Sequence, residues 1–424
     1  MKFIKGKLLS LKNNQYYKNF LMMLSGNTVS QIIPFIIAPI ISRIFTPEQF
    51  AIQSNFLAIA GLIGIIAAGR YEFGIVLPES EKKSNSLIIL SFIIIVIISA
   101  FTLGLIPFKS NIGFFYNDNV LPKYIIYISL AVFLYGIYNL FFNINLRRKN
   151  FKTITYSRIS QSFFGNITYV ILGYLLLGTD GLIWGWFFGQ IISTIILIIP
   201  IKNIKEIFSN ISFSDIKIVA KEYKDFPMIN SLHAFSDIFA TQFFIFWLIT
   251  NEFGILVLGL FSVMNRYLRA PIQLVTGAVS QIYYKEATDL KNNNQSSFSV
   301  AIKTIKICLV FAIPFTLLIL IWGPEIFSWY LGSNWLNAGK YAQIMAPALF
   351  LNFIFSPIST TPIVYNKQKT AFIITLMGYV LNLGILFLLA SLNYSFEIAL
   401  IGYSLSLSIY SLILGLWYLK LTKK

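Results

Sequence analysis

The chain has 424 residues, of which 57% are hydrophobic and 12% are charged, and its formal net charge is +17. Soluble domains usually carry about twice that charged fraction, so the composition excludes an ordinary soluble domain. Apolar stretches of about eighteen residues or more recur along the chain, and each could cross a hydrocarbon core of about 30 Å as a helix. The sequence therefore predicts an all-α polytopic membrane protein.

Chemistry that depends on a metal or a cofactor is not indicated. The one cysteine, Cys308, leaves no partner for an internal disulfide, and a single histidine cannot build a Cys/His metal site. The sequence contains no phosphate-binding loop, dinucleotide fingerprint or nucleophile elbow. We therefore expect no cofactor, no metal and no enzymatic activity. The positive charge does not indicate nucleic acid, because the Lys and Arg residues lie between the apolar stretches, a pattern typical of membrane orientation.

In chain order, the first nineteen residues are basic and polar, and we expect a cytoplasmic tail rather than a cleaved signal peptide. Twelve predicted spans follow, at about residues 20–42, 50–78, 86–108, 122–146, 153–177, 182–201, 226–249, 255–284, 299–323, 339–363, 370–392 and 397–419.

The Lys and Arg residues predict the orientation of these spans. If both termini are cytoplasmic, the inner connections carry twenty-five of the 33 Lys and Arg residues and the outer connections carry four. The other four, Arg70, Arg158, Arg266 and Arg269, fall inside spans, where Arg158 is close enough to the end to snorkel to the surface. This asymmetry follows the positive-inside rule, and an extra or missing span would destroy it.

The domain organisation follows from an amphipathic stretch at the midpoint of the chain. We predict an N-terminal lobe of six spans over residues 1–201, a cytoplasmic interfacial linker over 202–225 and a C-terminal lobe over 226–424. The halves open on "YKNF" (17–20) and "YKDF" (223–226). This similarity favours a parallel repeat, with chance as the open alternative.

Aligning the halves pairs polar residues in their first spans. Asn27 falls opposite His233, and Gln31 falls opposite Asp237. At about 1.5 Å per helical residue, His233 would lie about 10 Å and Asp237 about 16 Å from the cytoplasmic surface. These two residues share a helix face and could respond to protons. His233 could equally be an inert core residue, and Asn27 and Gln31 could simply bond neighbouring helices.

Three further charged residues lie deep in predicted spans. Arg70 lies in the second span, two residues before Glu72, so on a helix the two side chains would not face each other. Arg266 and Arg269 share a face of the eighth span, about 16 and 21 Å from its outer end. Structural ion pairs are one interpretation, with Asp237 as a partner for the last two. The excess of deep cations instead predicts a cavity that receives an anion, and arginine suits phosphate because its planar fork donates two parallel hydrogen bonds.

Several ordered stretches together resemble the Wzx-type O-antigen and capsular polysaccharide flippases, in the superfamily that includes multidrug and toxin extrusion transporters. The stretch "GRYEFGIVLP" (69–78) is similar to the most recognisable segment of that family. Further matches are "ISRIFTPEQFA" (41–51), "GLIWGWFFGQ" (181–190), "YKDFP" (223–227), "NRYLRAPIQLVTGAVSQIYYKEA" (265–287) and "LGSNWLNAGKYAQIMAPALFLNFIFSPIS" (331–359). Two stretches depart from the family pattern: "EQFA" (48–51) lacks a glycine after the phenylalanine, and "SLHAFSD" (231–237) matches no family motif.

The resemblance implies two six-helix lobes around a central cavity. It implies a flippase that moves a polyprenyl-pyrophosphate-linked oligosaccharide across the bacterial inner membrane by alternating access. The implied partners are this lipid-linked oligosaccharide, membrane lipid and, as an open alternative, polysaccharide polymerase machinery. The candidate substrate-binding residues are Arg70, Arg266, Arg269, Asn27 and Gln31, and the ion-coupling candidates are His233, Asp237 and Glu72.

Two alternative functions stay open. A gradient-driven exporter of small amphiphilic cations could use the same fold, but it needs carboxylates in its cavity, and Asp237 is the one deep acid. A membrane glycan polymerase or ligase generally has a substantial outer loop, whereas the predicted outer connections are short. Prolines inside spans are candidate hinge points in either transporter: Pro34, Pro39, Pro314, Pro347 and Pro357.

Overall fold

The computed structural model describes residues 15–201 and 211–423. In those residues the regular secondary structure is helical and no strand occurs. Ten helical stretches are long and apolar enough to cross a membrane, so the chain is a multi-pass integral membrane protein. The predicted spans 50–78 and 153–177 are not among the ten, because the first helix is short and starts with polar residues and the second is rich in polar side chains. The count of twelve stays a prediction.

The first compact unit comprises Met1–Phe45 and Asn55–Phe239. Its described helices, including a helix shared with the second unit, are α1 Gln15–Ile44, α2 Pro47–Gly64, α3 Glu81–Thr102, α4 Lys109–Phe115, α5 Ile128–Arg147, α6 Phe151–Tyr174, α7 Thr179–Ile198, α8 Phe213–Glu222 and α9 Ser231–Ile238. The 3-10 stretch Leu103–Phe108 extends α3, the 3-10 stretch Leu121–Tyr127 precedes α5, and a third over Tyr71–Val76 follows α2.

The second compact unit comprises Thr46–Ser54 and Ala240–Lys424. Its helices are α10 Ile245–Phe253, α11 Ile255–Asn292, α12 Phe298–Leu331, α13 Leu336–Phe355, α14 Thr361–Val364, α15 Gln368–Ser391 and α16 Phe396–Thr422. Each end of α13 joins a 3-10 turn, Ser333–Trp335 before it and Ser356–Ile358 after it.

The boundaries of these units differ from the predicted lobe boundaries at residues 201 and 226. Phe226 stacks on Tyr223, with ring centroids 6.3 Å apart, and both rings lie against Gly74. This packing groups the start of the seventh span with the first unit. In the second unit, Gly259 lies so close to the Pro47 carbonyl that a side chain at position 259 would overlap it. This close contact places the first turns of α2 in the second unit. The lobes as membrane bundles stay a prediction.

Small residues allow α6 and α7 to pack closely. A Cβ at Gly189 would lie 2.6 Å from the Gln161 carbonyl oxygen and 3.1 Å from the Cα of Gly165. Close backbone approach of this kind is typical of small-residue interfaces between membrane helices, where dispersion contacts replace the hydrophobic effect. The packing holds the polar face of α6, including Gln161, next to α7.

The break inside α12 lies away from the predicted hinge at Pro314. Pro34, Pro39, Pro314 and Pro347 lie inside helices, and Pro357 lies in the 3-10 turn after α13. The break in α12 falls at Trp322, with φ −121° and ψ 21°.

The cause of this break is the following proline. Pro324 has no N–H to donate to the carbonyl of Leu320, four residues earlier. That carbonyl accepts a hydrogen bond from the Gln343 side chain of α13 at 2.8 Å instead.

Candidate functional site

The second predicted span breaks before it reaches Arg70. Helix α2 ends at Gly64, turns follow, and Gly69 and Arg70 both adopt positive φ, at 59° and 60°. A left-handed backbone is uncommon for a residue other than glycine. The prediction that a helix continues to Pro78 is therefore wrong. Arg70 and Glu72 lie in a segment of turns and 3-10 helix, which we name the broken segment (residues 65–78).

Arg147 at the end of α5 holds the broken segment in place. Its guanidinium donates to the carbonyl oxygens of Ile75 at 3.1 Å and Pro78 at 2.6 Å. It also forms an ion pair with Glu81 at 3.0 Å. Where an α-helix is interrupted in a membrane protein, the freed backbone polar groups must be satisfied by other protein groups. Arg147 provides donors for two of these carbonyls, and the Ser84 hydroxyl donates to Ile75 as well, at 3.2 Å.

The two charged side chains of the broken segment lie in different surroundings. The Arg70 guanidinium lies 4.4 Å from the centroid of the Phe73 ring, close enough for a cation–π interaction. Glu72 is only 2% exposed. The Nε of Arg70 and one carboxylate oxygen of Glu72 are buried without a hydrogen bond in the described chain. Neither residue belongs to the ion pairs found in the described ranges.

The described part of the predicted linker forms an amphipathic helix, α8, that packs on this region. Ser212 and Asp215 form a capping box at its start. Lys82 of α3 pairs with Asp215 at 2.9 Å, and this contact together with Ser212 lowers the pKa of Asp215 to about 2. The Tyr71 hydroxyl donates to the Ala220 carbonyl at 3.0 Å. Residues 202–210 of the linker lie outside the described ranges, so its interfacial position stays a prediction.

A second contact between α3 and α8 strengthens this attachment. Lys83 pairs with Glu222 at 2.9 Å, and the hydrogen bond to that carboxylate raises the pKa of Lys83. Both side chains are exposed, so the pair alone is worth little. Together the two ion pairs and the Tyr71 bond connect the linker helix to α3 and to the broken segment itself.

In the second unit, Arg266 and Arg269 are exposed side chains on α11. The Arg266 guanidinium lies 5.8 Å from the centroid of the Phe50 ring. The Nε of Arg269 donates to the Asn265 side-chain oxygen at 2.6 Å, a neutral partner. Within residues 15–201 and 211–423, neither arginine forms an ion pair. Their charges therefore stay available to a negatively charged ligand.

The first unit contains a polar pocket of about 330 Å³. It is lined by side chains of α1, α5 and α6: Asn27, Ser30, Tyr138, Arg158, Gln161 and Ser162. The Ser162 hydroxyl donates to the Ser30 carbonyl at 2.6 Å and so joins α6 to α1. Asn27, a predicted substrate-binding residue, thus lies beside Arg158, which the sequence analysis had interpreted as a snorkelling residue. Gln31 does not line this pocket, and its side-chain oxygen is buried without a hydrogen bond in the described chain.

His233 and Asp237 are exposed residues of the short helix α9. Wider π-helical turns flank this helix, Phe226–Asn230 before it and Phe239–Phe244 after it. Such turns occur frequently at functional sites. Among the described residues, no group of three or more His, Cys, Asp or Glu could hold a metal ion. The roles of His233, Asp237 and Glu72 in ion coupling stay predictions.

Five of the six lining residues were not predicted to bind substrate: Ser30, Tyr138, Arg158, Gln161 and Ser162. A usable signal was present, because α6 carries Ser, Arg, Gln and Asn at helical spacing inside a predicted span. That polar stripe predicts a face turned away from lipid. Depth alone led to the snorkelling interpretation, since Arg158 lies only seven residues after the start of α6.

Solved structures with the same fold are membrane transporters. An inward-facing multidrug resistance MATE family transporter of the MOP superfamily matches with a TM-score of 0.69 and 13% identity, covering 92% of this chain and 93% of that chain. A MOP superfamily transporter from Pyrococcus furiosus matches with a TM-score of 0.64 and 14% identity over 96% of both chains. An outward-facing MATE family transporter matches with a TM-score of 0.63 and 13% identity, again over 96% of both. At this identity the similarity shows the fold.

A search of curated proteins finds no match to the chain. The sequence model of a protein family described as "Polysaccharide biosynthesis protein" matches residues 40–340. Because this match covers well over half of the 424 residues, the chain belongs to that polysaccharide biosynthesis protein family.

Proposed function

We propose that the protein is a flippase that moves a polyprenyl-pyrophosphate-linked oligosaccharide, an O-antigen or capsule repeat unit, across the bacterial inner membrane. Three lines support this function. The chain belongs to a polysaccharide biosynthesis family, it has the fold of MOP superfamily transporters, and its α11 carries two exposed arginines that no carboxylate neutralises within the described residues. The arginine pair is the observation that carries the proposal, because it indicates that the substrate is negatively charged.

The proposed mechanism uses the guanidinium groups as a replacement for water around the phosphates. A diphosphate crossing hydrocarbon without partners would cost tens of kcal/mol. Arg266 and Arg269, three residues apart, can each offer a planar pair of N–H donors to phosphate oxygens. In this mechanism Arg70 also contributes, the polyprenyl tail stays in lipid, and the two lobes rock to expose the head group on alternate sides. Both termini are cytoplasmic in the proposed orientation.

The second candidate is export of small amphiphilic cations. It is favoured by one observation, the match to multidrug resistance MATE family transporters. The Pyrococcus furiosus relative is described as a MOP superfamily transporter whose reversed binding-pocket polarity suggests a different function. The exposed arginines of α11 likewise argue for an anionic cargo, since fixed positive charges repel cations.

The test compares surface glycan in a null strain complemented with Arg266→Ala, Arg269→Ala and the two corresponding lysine variants. A charge-assisted hydrogen bond is worth about 1.5–3 kcal/mol, so each alanine variant should reduce export about tenfold or more. Lysine should restore part of the activity because it keeps the charge but loses the fork.

Lys340→Ala is the matched control, because Lys340 is an exposed cation at the start of α13. It should export normally at equal protein levels. Normal export by both alanine variants would remove this arginine pair from the mechanism.

A further inference from the structure

The polar pocket of the first unit has the size of a small-molecule site. Its volume of about 330 Å³ lies at the lower end of the range for ligand pockets in proteins. A space of this size suits one sugar ring rather than a whole oligosaccharide. All six lining residues lie within one compact unit.

The charge of this pocket comes from Arg158. Its guanidinium lies 5.1 Å from the centroid of the Phe142 ring and interacts with the Tyr138 hydroxyl. Among the described residues, Arg158 forms no ion pair with a carboxylate. A guanidinium has five N–H donors and stays protonated in proteins, so donors remain for a ligand.

The other lining groups are neutral and match sugar hydroxyls. Amide groups of Asn27 and Gln161 both donate and accept hydrogen bonds, and the Ser30 and Ser162 hydroxyls, which already donate to backbone carbonyls, can accept them. The Gln161 amide is oriented by a hydrogen bond to the side chain of Gln190 on α7. Tyr138 adds an aromatic ring. One cationic fork among neutral polar groups recognises a ligand with one negative group and several hydroxyls.

We propose that this pocket binds an oxyanion-bearing sugar residue of the translocated glycan, with Arg158 pairing with a sugar carboxylate. The inference rests on the proposed function, and it names a substrate class, acidic glycans, that the arginines of α11 do not specify. A phosphate of the lipid linker has the same oxyanion chemistry. The sugar carboxylate is favoured because the hydroxyl-matching groups surround Arg158.

The test measures charge selectivity at the pocket without any transport. Cys308 is the lone, buried cysteine, so Cys308→Ala with Ser30→Cys places one thiol in the pocket wall. The purified protein in detergent is labelled with an anionic sulfonatoethyl and a cationic trimethylammonioethyl methanethiosulfonate. We expect the ratio of the anionic to the cationic labelling rate to fall about tenfold in Arg158→Gln, because the Arg158 charge attracts the anionic reagent and repels the cationic one over several ångströms. The ratio should persist in Arg158→Lys.

The measurement has one control thiol and one alternative thiol position in the pocket. Ser391→Cys, at the exposed end of α15 in the second unit, should give a ratio that does not respond to Arg158→Gln. Asn27→Cys replaces Ser30→Cys if the latter fails to fold, because Asn27 lines the same pocket. An unchanged ratio in Arg158→Gln, with either thiol, would overturn the proposal.

Ligand protection then distinguishes the two sources of the oxyanion. Glucuronate, glucose and inorganic pyrophosphate are compared as inhibitors of labelling at equal concentration. Protection by glucuronate of at least threefold over glucose supports the sugar carboxylate, and protection by pyrophosphate alone assigns the pocket to the linker and overturns the acidic-sugar assignment. Absence of protection by either anion overturns the site. A charge-selective pocket in a protein that fails to move lipid-linked glycan would instead contradict only the proposed function.

Discussion

Arg147 should be the main support of the broken segment, and its removal tests that structural account. The Arg147 side chain is 15% exposed, whereas its partner Glu81 is 77% exposed. The exposed ion pair is worth about 0.5 kcal/mol or less. Two hydrogen bonds from a charged donor to the carbonyls of Ile75 and Pro78 are each worth about 1.5 kcal/mol or more. Arg147→Ala should therefore lower the free energy of unfolding by about 3 kcal/mol.

Glu81→Gln is the matched variant, because it removes only the ion pair. It should cost about 0.5 kcal/mol or less. Arg147→Lys should lie between the two, since one ammonium cannot reproduce the geometry of the guanidinium fork. The assay is equilibrium unfolding of purified protein in mixed micelles, titrated with a denaturing detergent and followed by tryptophan fluorescence. If Glu81→Gln and Arg147→Ala cost the same, the carbonyl contacts contribute nothing and the reasoning is refuted.

Three further predictions address packing, the linker helix and topology. Gly189→Ala should destabilise the protein by about 1–3 kcal/mol through overpacking, because the new Cβ would lie 2.6 Å from a carbonyl oxygen. A Cβ at Gly384 would meet no atom within 4 Å, so Gly384→Ala should be neutral or slightly stabilising in the same unfolding assay. Because the pKa of Asp215 is lowered to about 2, protection of α8 from hydrogen exchange should persist down to about pH 4 and decline as pH falls toward 2. Lys82→Ala should reduce this protection at neutral pH. Equal protection in the wild-type and Lys82→Ala proteins would count against docking of α8 through this pair. Reporter fusions just before and just after α6 should report opposite sides of the membrane, and the same side for both would remove α6 from the spans.

Much of the helical architecture could be predicted from hydropathy and charge. Most predicted spans coincide with helices that could cross a membrane, because an apolar stretch without charge leaves the backbone no other way to satisfy its polar groups in lipid. Arg266 and Arg269 were also predicted correctly to share one helix. Their spacing of three residues depends only on local geometry.

The features that could not be predicted depend on contacts between distant residues. The broken segment after α2 is stabilised by Arg147, far along the sequence, which donates to the carbonyls of Ile75 and Pro78. The break in α12 is stabilised by Gln343 on the next helix. The predicted span 50–78 ran across the first break because its apolar pattern continues past Gly69 and Arg70. The second break lies at the end of the predicted span 299–323, next to Pro324, where a missing backbone donor makes a break expected.

The candidate functional residues also differ in how well the sequence predicts them. Arg70, Arg266 and Arg269 could be identified because a charge inside an apolar stretch stands out in the sequence, and their role in binding stays a proposal. For the pocket around Arg158 the sequence offered only the polar stripe of α6, because the other lining residues come from two further helices. Assembly of α1, α5 and α6 gives these residues a common surface.

The most direct test of the central claim is transbilayer movement measured with purified protein in liposomes. The probe is a polyprenyl pyrophosphate that carries a fluorescent disaccharide, with its exposure followed by a membrane-impermeant quencher. We predict that the wild-type protein moves the probe, that Arg266→Ala with Arg269→Ala slows this movement at least tenfold, and that a lipophilic cation such as ethidium is not transported. Transport of ethidium without movement of the pyrophosphate probe would contradict the account.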